Sequence, residues 1–297
     1  DGRDELGLPG LWPDWDEILT TAANLAVRDE DVYGIDLPVE HPYSSLHLYE
    51  HLALSNGQEF FNEDGQVTLA SPGMVEALGF YGDLAQFAPV VGYTEYYLDG
   101  RAGLLYASIG YLTKIAEAGL APNTGFMPVI FGPRGEPVTT GGVLALAMIQ
   151  GGGERDVAQT WVEFLLTEGY IQLLSVEPGL VPVRRDVVEE WAQLDLFEPF
   201  ADADLPWRIA ESLWRLETWR VRSADQAQCI ESFRLAGLVP FAVAELAAGR
   251  TTPLEQAVMF QEDIEGMLDA GQSGSTYQPP TGDVRLMTYT MPLPAPK

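Results

Sequence analysis

Residues 57–78 read Gly57-Gln58-Glu59-Phe60-Phe61-Asn62-Glu63-Asp64-Gly65-Gln66-Val67-Thr68-Leu69-Ala70-Ser71-Pro72-Gly73-Met74-Val75-Glu76-Ala77-Leu78. Phe60-Phe61 and Val67-Thr68 flank Asp64-Gly65, a pair suited to the positive φ of a tight hairpin turn. Ser71-Pro72 follows, with serine fitted to an N-cap and proline to the first helical position, where no N–H is needed. Met74, Val75, Leu78, Tyr81 and Leu84 then recur at helical spacing. An extended pair feeding straight into an amphipathic helix is a unit of layered α/β architecture.

The same alternation continues in both directions. Upstream, Asp14-Trp15-Asp16-Glu17 forms a capping box ahead of a predicted helix over 15–28, with Trp15, Ile18, Leu19, Ala22 and Leu25 on one face. Residues 32–37 predict a short strand, and 44–55 a helix stopped by Gly57. Downstream come a strand at 102–107, a helix at 110–118 stopped by Gly119, strands at 126–131 and 137–148, and a helix at 154–167. From Arg185 the pattern is almost entirely helical, and the proline-rich tail after Gly271 reads as extended. The chain has no internal repeat, low-complexity block or interdomain linker.

Composition removes several classes of function. The chain has 297 residues, 46% hydrophobic and 10% aromatic, enough to bury a sizeable core. Sixteen Lys and Arg oppose 44 Asp and Glu, leaving −28, and only Lys114 and Lys297 are lysines. Such a surface repels phosphate backbones and anionic lipid, which excludes nucleic-acid binding and polybasic membrane docking. Acid excess spread along the whole chain reads as adaptation to concentrated salt. The single cysteine, Cys229, excludes an internal disulfide and a cysteine-cluster zinc site. No apolar run approaches the roughly 18 residues of a spanning helix. The start at Asp1, without Met or signal peptide, reads as a mature protein or a fragment.

The sharpest local motif is His47-Leu48-Tyr49-Glu50-His51. On a helix, His47 and His51 share a face suited to zinc, with Glu50 as general base, the pattern of a zinc metallopeptidase. The sequence singles out no third protein ligand, and the other reading is two histidines and a glutamate on a solvated helix. Gly151-Gly152-Gly153 precedes a helix, but Glu154 would repel an anion there, so a loop-to-helix joint fits better. No pair of carboxylates stands out as acid and base, so the residues themselves indicate neither a catalytic centre nor a cofactor. Aromatic supply does stand out, with Tyr43, Tyr93, Tyr96, Tyr97, Tyr106 and Tyr111 near element ends and Trp207, Trp214 and Trp219 in the helical part. Aromatic faces stack on the apolar faces of sugar rings, although core packing accounts for each such residue more readily.

Ten short segments in order carry a resemblance. They are Leu6-Gly7-Leu8-Pro9 with Trp12-Pro13-Asp14-Trp15-Asp16-Glu17-Ile18-Leu19, then Tyr33-Gly34-Ile35, Gly57 to Gly65, Ser71 to Leu78 and Asp99 to Leu104. Met127 to Pro133, Thr140 to Leu146, Trp161 to Thr167, Gly179 to Arg184 and Gly249 to Ala257 complete the series. Together they resemble the extracellular solute-binding proteins of ABC importers, the maltose- and sugar-binding group above all.

The resemblance implies a two-lobed, periplasmic-binding-protein-like (type II) α/β fold with an incomplete first lobe and a helix-rich C-terminal third. Residues 1–125 would be second-lobe material, 126–185 the returning segment of the first lobe, and 186–297 a helical segment with an extended tail. It implies a non-enzymatic receptor that captures a carbohydrate or related small solute, with no catalytic residue, metal or cofactor. Its partners would be that solute and the membrane subunits of an importer, with the receptor a monomer, lipid-anchored at the outer cell surface in its full-length form. The ligand-binding residues implied are Tyr43, Ser44 and Ser45 ahead of the Gly57 helix, Ser108 and Tyr111 after the 102–107 strand, and Thr140, Gly141 and Gly142. Trp219 joins them as the aromatic of the late helical part, while Tyr106 is expected in the core.

Overall fold

The computed structural model describes residues 14–27, 30–127, 130–134, 137–142, 154–167, 169–177 and 179–273. Helix α1 (Trp15–Leu25) begins at the capping box: Asp14 accepts from the Glu17 N–H at 2.9 Å, and Glu17 accepts from the Asp14 N–H at 3.0 Å. It buries Trp15, Ile18 and Ala22. Strand β1 (Tyr33–Asp36) follows. Helix α2 (Pro42–Ser55) starts two residues before the predicted position, because His41 caps it by accepting from the Ser44 N–H at 3.3 Å. The helix ends at Asn56, and Gly57 takes φ +70 to turn the chain out.

The hairpin of 57–68 is present in short form. Phe61 bridges Val67 in antiparallel sense, and Asn62 Oδ1 accepts from the N–H groups of Asp64 and Gln66 across the turn. Helix α3 (Pro72–Ala85) opens at Ser71-Pro72, although Ser71 donates its hydroxyl to Gln58 and does not cap the helix. Helix α4 (Glu95–Leu98) leads to strand β2 (Ala102–Leu105), and a 3-10 turn at Ile109–Tyr111 leads to helix α5 (Leu112–Glu117). The later helices are α6 (Arg155–Leu166), α7 (Tyr170–Val176), α8 (Val188–Trp191) and α9 (Leu205–Ser212). Helices α10 (Ala224–Leu235), α11 (Leu238–Ala247) and α12 (Pro253–Ser273) close the described chain.

Among the described residues the regular sheet is the parallel pair β1–β2, with Tyr33 opposite Ala102 and Ile35 opposite Leu104. The predicted strands at 126–131 and 137–148 are represented by an antiparallel bridge between Ile130 and Val138. Their residues 128, 129 and 143–148 lie outside the described residues, as do Leu6–Pro13, Gly151–Gly153 and the tail after Ser273. Gly34 lets α1 lie directly on β1: a Cβ there would stand 1.8 Å from the Ala22 carbonyl oxygen.

Among the described residues two apolar cores form. The first gathers Trp15, Tyr49, Leu52, Phe60, Met74, Leu78, Tyr81, Trp219, Phe233 and Phe260. The second gathers Leu112, Ile115, Leu174, Trp191, Phe197, Phe200 and Ile209. Burying each large apolar side chain contributes about 1.5–3 kcal/mol. Strand β2 serves both, because alternate side chains face opposite ways: Leu104 and Tyr106 pack on the first core and Leu105 on the second. Each core draws residues from all three segments expected from the sequence.

Candidate functional site

Strands β1 and β2 are parallel, so their carboxyl ends open on the same side, where α/β sheets place ligands. The Tyr106 N–H donates to the Asp36 carbonyl at 3.1 Å and carries the pairing one residue further. The Asp36 side chain is fully buried and accepts from the N–H groups of Thr94 and Tyr97, each at 3.0 Å. Burial pushes its carboxyl above the ordinary range, with those hydrogen bonds opposing. The two bonds hold loop 92–97 over the strand ends, with Thr94 in the left-handed region at φ +74.

That loop delivers Tyr93. Its hydroxyl donates to the Tyr106 carbonyl at 2.8 Å, and its ring lies 6.1 Å from that of Tyr111 and 6.4 Å from that of His41. Lys114 Nζ stands 4.6 Å from the centre of the Tyr111 ring. Tyr106 is half-buried, with its hydroxyl 3.4 Å from His51 Nδ1 and in hydrogen-bond contact with Thr140. Burial pushes the phenols of Tyr93 and Tyr106 well up, so both stay protonated donors. The wall offers flat faces, hydroxyls and one cation, which suits a ring that is apolar on its faces and hydroxylated at its rim.

Of the residues expected from the sequence, Ser108, Tyr111 and Thr140 meet at this end, with Ser108 exposed. Gly141 follows beside Leu216, and Gly142 is open to solvent. Tyr43 lies at the start of α2, 49% exposed, with its ring 4.4 Å from His47 and 5.2 Å from the Arg234 guanidinium. Ser44 spends its N–H on the His41 cap. Ser45 and Trp219 are placed in the first core. Ser45 is fully buried with Oγ 2.9 Å from the Tyr81 hydroxyl, and Trp219 sets its ring edge-on to Phe60 at 5.0 Å. Tyr93 was marked in the sequence only as one loop aromatic among several, and Asp36 and Lys114 carried no signal at all.

The His47–His51 motif is occupied by other work. His47 Nδ1 pairs with Glu50 Oε2 at 3.2 Å, and Glu50 Oε1 accepts from the Trp219 N–H at 2.8 Å. His51 is buried, and Nε2 lies 2.9 Å from the Val138 carbonyl, which can only accept, so Nε2 donates and Nδ1 faces Tyr106 as the acceptor. Burial pushes the His51 pKa down and keeps the ring neutral. Both of its nitrogens are taken, and among the described residues no three His, Cys, Asp or Glu converge as a metal site. Nothing among the described residues supports the zinc-peptidase reading of the motif.

Comparison with known proteins adds independent findings. The profile of the bacterial extracellular solute-binding protein family matches residues 4–172. YcjN of Escherichia coli (strain K12), named for the ABC transporter periplasmic-binding proteins, is 26% identical over 214 residues, 67% of this chain and 49% of its own length. The chain thus spans about half the length of the curated relatives it matches. The sugar-binding protein MalE of Xanthomonas citri superposes with a TM-score of 0.69 at 18% identity, over 91% of this chain and 67% of that one. Maltose-bound MalE3 of T. maritima gives 0.65 at 18% identity, over 89% and 67%. The fold is therefore the two-lobed, MalE-like α/β architecture, as the motif order implies.

Proposed function

The chain belongs to the bacterial extracellular solute-binding proteins, and on that premise we propose that it captures a neutral carbohydrate or polyol for an ABC importer. The observation that carries this reading is the wall of Tyr93, Tyr106 and Tyr111 at the carboxyl ends of β1 and β2. Ser108, Thr140, Gly141 and Gly142 border it and supply hydroxyls and open backbone. Tyr43 and Ser44 lie at the start of α2 and contact the solute from that side. The partners are the membrane subunits of the importer, and the protein works as a monomer at the outer cell surface, held there by a lipid anchor. Its net charge of −28 keeps that surface hydrated in concentrated salt.

Titration calorimetry of the folded chain against maltose, maltotriose and a panel of monosaccharides and polyols tests the reading. Saturable binding of at least one of them, weakened by Tyr111→Ala with the melting temperature kept, is the expected result. A folded chain that binds none of the panel would overturn it.

A further inference from the structure

Loop 92–97 is tied at both ends by contacts that do not involve Asp36. Glu40 Oε1 accepts from the Gly92 N–H at 2.8 Å, the Tyr97 hydroxyl lies 3.0 Å from Thr124 Oγ1, and the Tyr96 ring stands edge-on to Tyr33 at 4.8 Å. Between those ties sits Thr94, 5% exposed and at φ +74. A β-branched residue in the left-handed region is strained, because its side chain crowds the backbone there. The Thr94 side chain makes no capping hydrogen bond, and its N–H donates to Asp36 Oδ1.

Both oxygens of Asp36 are in use, since Oδ2 accepts from the Tyr97 N–H. A protonated carboxyl keeps one good acceptor and turns an O–H toward the other N–H. Charge is therefore what lets Asp36 hold Thr94 and Tyr97 together. Glu95 of α4 acts on Asp36 as a like charge, Tyr93 is a neutral phenol, and Glu40 faces the loop at Gly92. Beyond α4, Arg101 is engaged with Asp31 and Asp99. Strand β2 carries no ionisable side chain, and α1 carries Asp16 and Glu17 in its first turn. Burial first, and then Glu95, favour the neutral form, so Asp36 takes up a proton above the 3.8 of an ordinary aspartate.

We propose that Asp36 is an acid-sensitive latch for the tyrosine wall. Ionised, it holds Thr94 in the strained conformation and Tyr93 against the Tyr106 carbonyl. On taking up a proton it lets Thr94 relax, Tyr93 leaves that carbonyl, and the solute is released. Asp36 is a positioning residue and touches no solute. The release of solute rests on the function proposed above, whereas the latch itself does not.

Hydrogen exchange on the full chain, read on peptides covering 93–98 and scaled to unstructured peptides at each pH, tests the latch. At neutral pH, Asp36→Asn, a neutral isostere, should lower protection over 94–97 about tenfold while α3 keeps its own. The wild type should lose the same protection in a step as pH falls through the acid range, and Asp36→Asn should show no step. Thr94→Gly, which adopts a positive φ without strain, should move the step to lower pH. Protection over 94–97 unchanged in Asp36→Asn, or lost equally over α3, would sink the proposal. If acid unfolds the wild type before any step, the comparison at neutral pH decides. Should Asp36→Asn fail to fold, a Thr94→Gly step at the wild-type pH counts against the latch. Calorimetry with maltose separates the claims: wild-type affinity should fall across the same step, and that of Asp36→Asn should be low and flat. A wild-type chain that binds no maltose counts against that ligand and leaves the exchange result to judge the latch.

Discussion

At the scale of single residues, His51 has a titration whose sign is fixed by burial. The folded ring sits below its ordinary pKa of 6.5 because burial disfavours the charged form. Between the folded value and 6.5 the unfolded chain binds a proton that the folded chain does not, so the stability His51 contributes is present above 6.5 and lost as pH falls toward the folded value. Paired thermal melts of wild type and His51→Gln should therefore show the wild type losing ground to the variant as pH drops through that window. Parallel curves would rule the titration out. The tyrosines divide by burial. Tyr111→Ala should weaken solute binding several-fold, about 1 kcal/mol by analogy with aromatic pairs, and leave the melt unchanged. Tyr106→Ala should cost about 3 kcal/mol of stability, because its ring packs on the first core and its hydroxyl is bonded.

Elements succeed or fail by contacts at their ends and by how closely they approach one another. The Asp14–Glu17 box settles two N–H groups at the start of α1, so Asp14→Ala should lower stability by about 1 kcal/mol in urea melts. The seat of α1 on β1 is more demanding. A methyl group at Gly34 would stand 1.8 Å from the Ala22 carbonyl oxygen, and backbone cannot rotate away as a side chain can. Gly34→Ala should cost about 3 kcal/mol or more. Gly142→Ala, with open space around it, is the matched control and should change stability little.

For the whole molecule, charge is the dominant variable. Sixteen cationic side chains oppose 44 carboxylates, and pairs such as Arg101–Asp31, Arg234–Glu231 and Arg250–Glu245 lie at the surface, where each is worth little. Screening shortens the remaining repulsion from roughly 30 Å at 0.01 M salt to about 3 Å at 1 M. The melting temperature should climb steadily as sodium or potassium chloride rises into the molar range. A flat or falling series would remove salt adaptation as the meaning of the charge.

The sequence by itself determined several of the places where elements begin and end, and which family the chain resembles. Caps and turns act on their own backbone within a few residues, so Asp14 with Glu17, Gly57, Asp64-Gly65 and Gly119 mark boundaries without help from the rest of the chain. Ser71 shows the limit of that rule, since its hydroxyl turns to Gln58 once a nearby partner is in place. Only the tertiary structure decided which side chains share a site. Tyr93 reaches Tyr106 through a loop held by the buried Asp36, and Glu50 meets Trp219 across 169 positions. A histidine at i and another at i+4 are the same letters whether a metal or a carbonyl stands opposite. Which of the two stands there depends on how distant segments pack, and for His51 packing supplied the carbonyl of Val138.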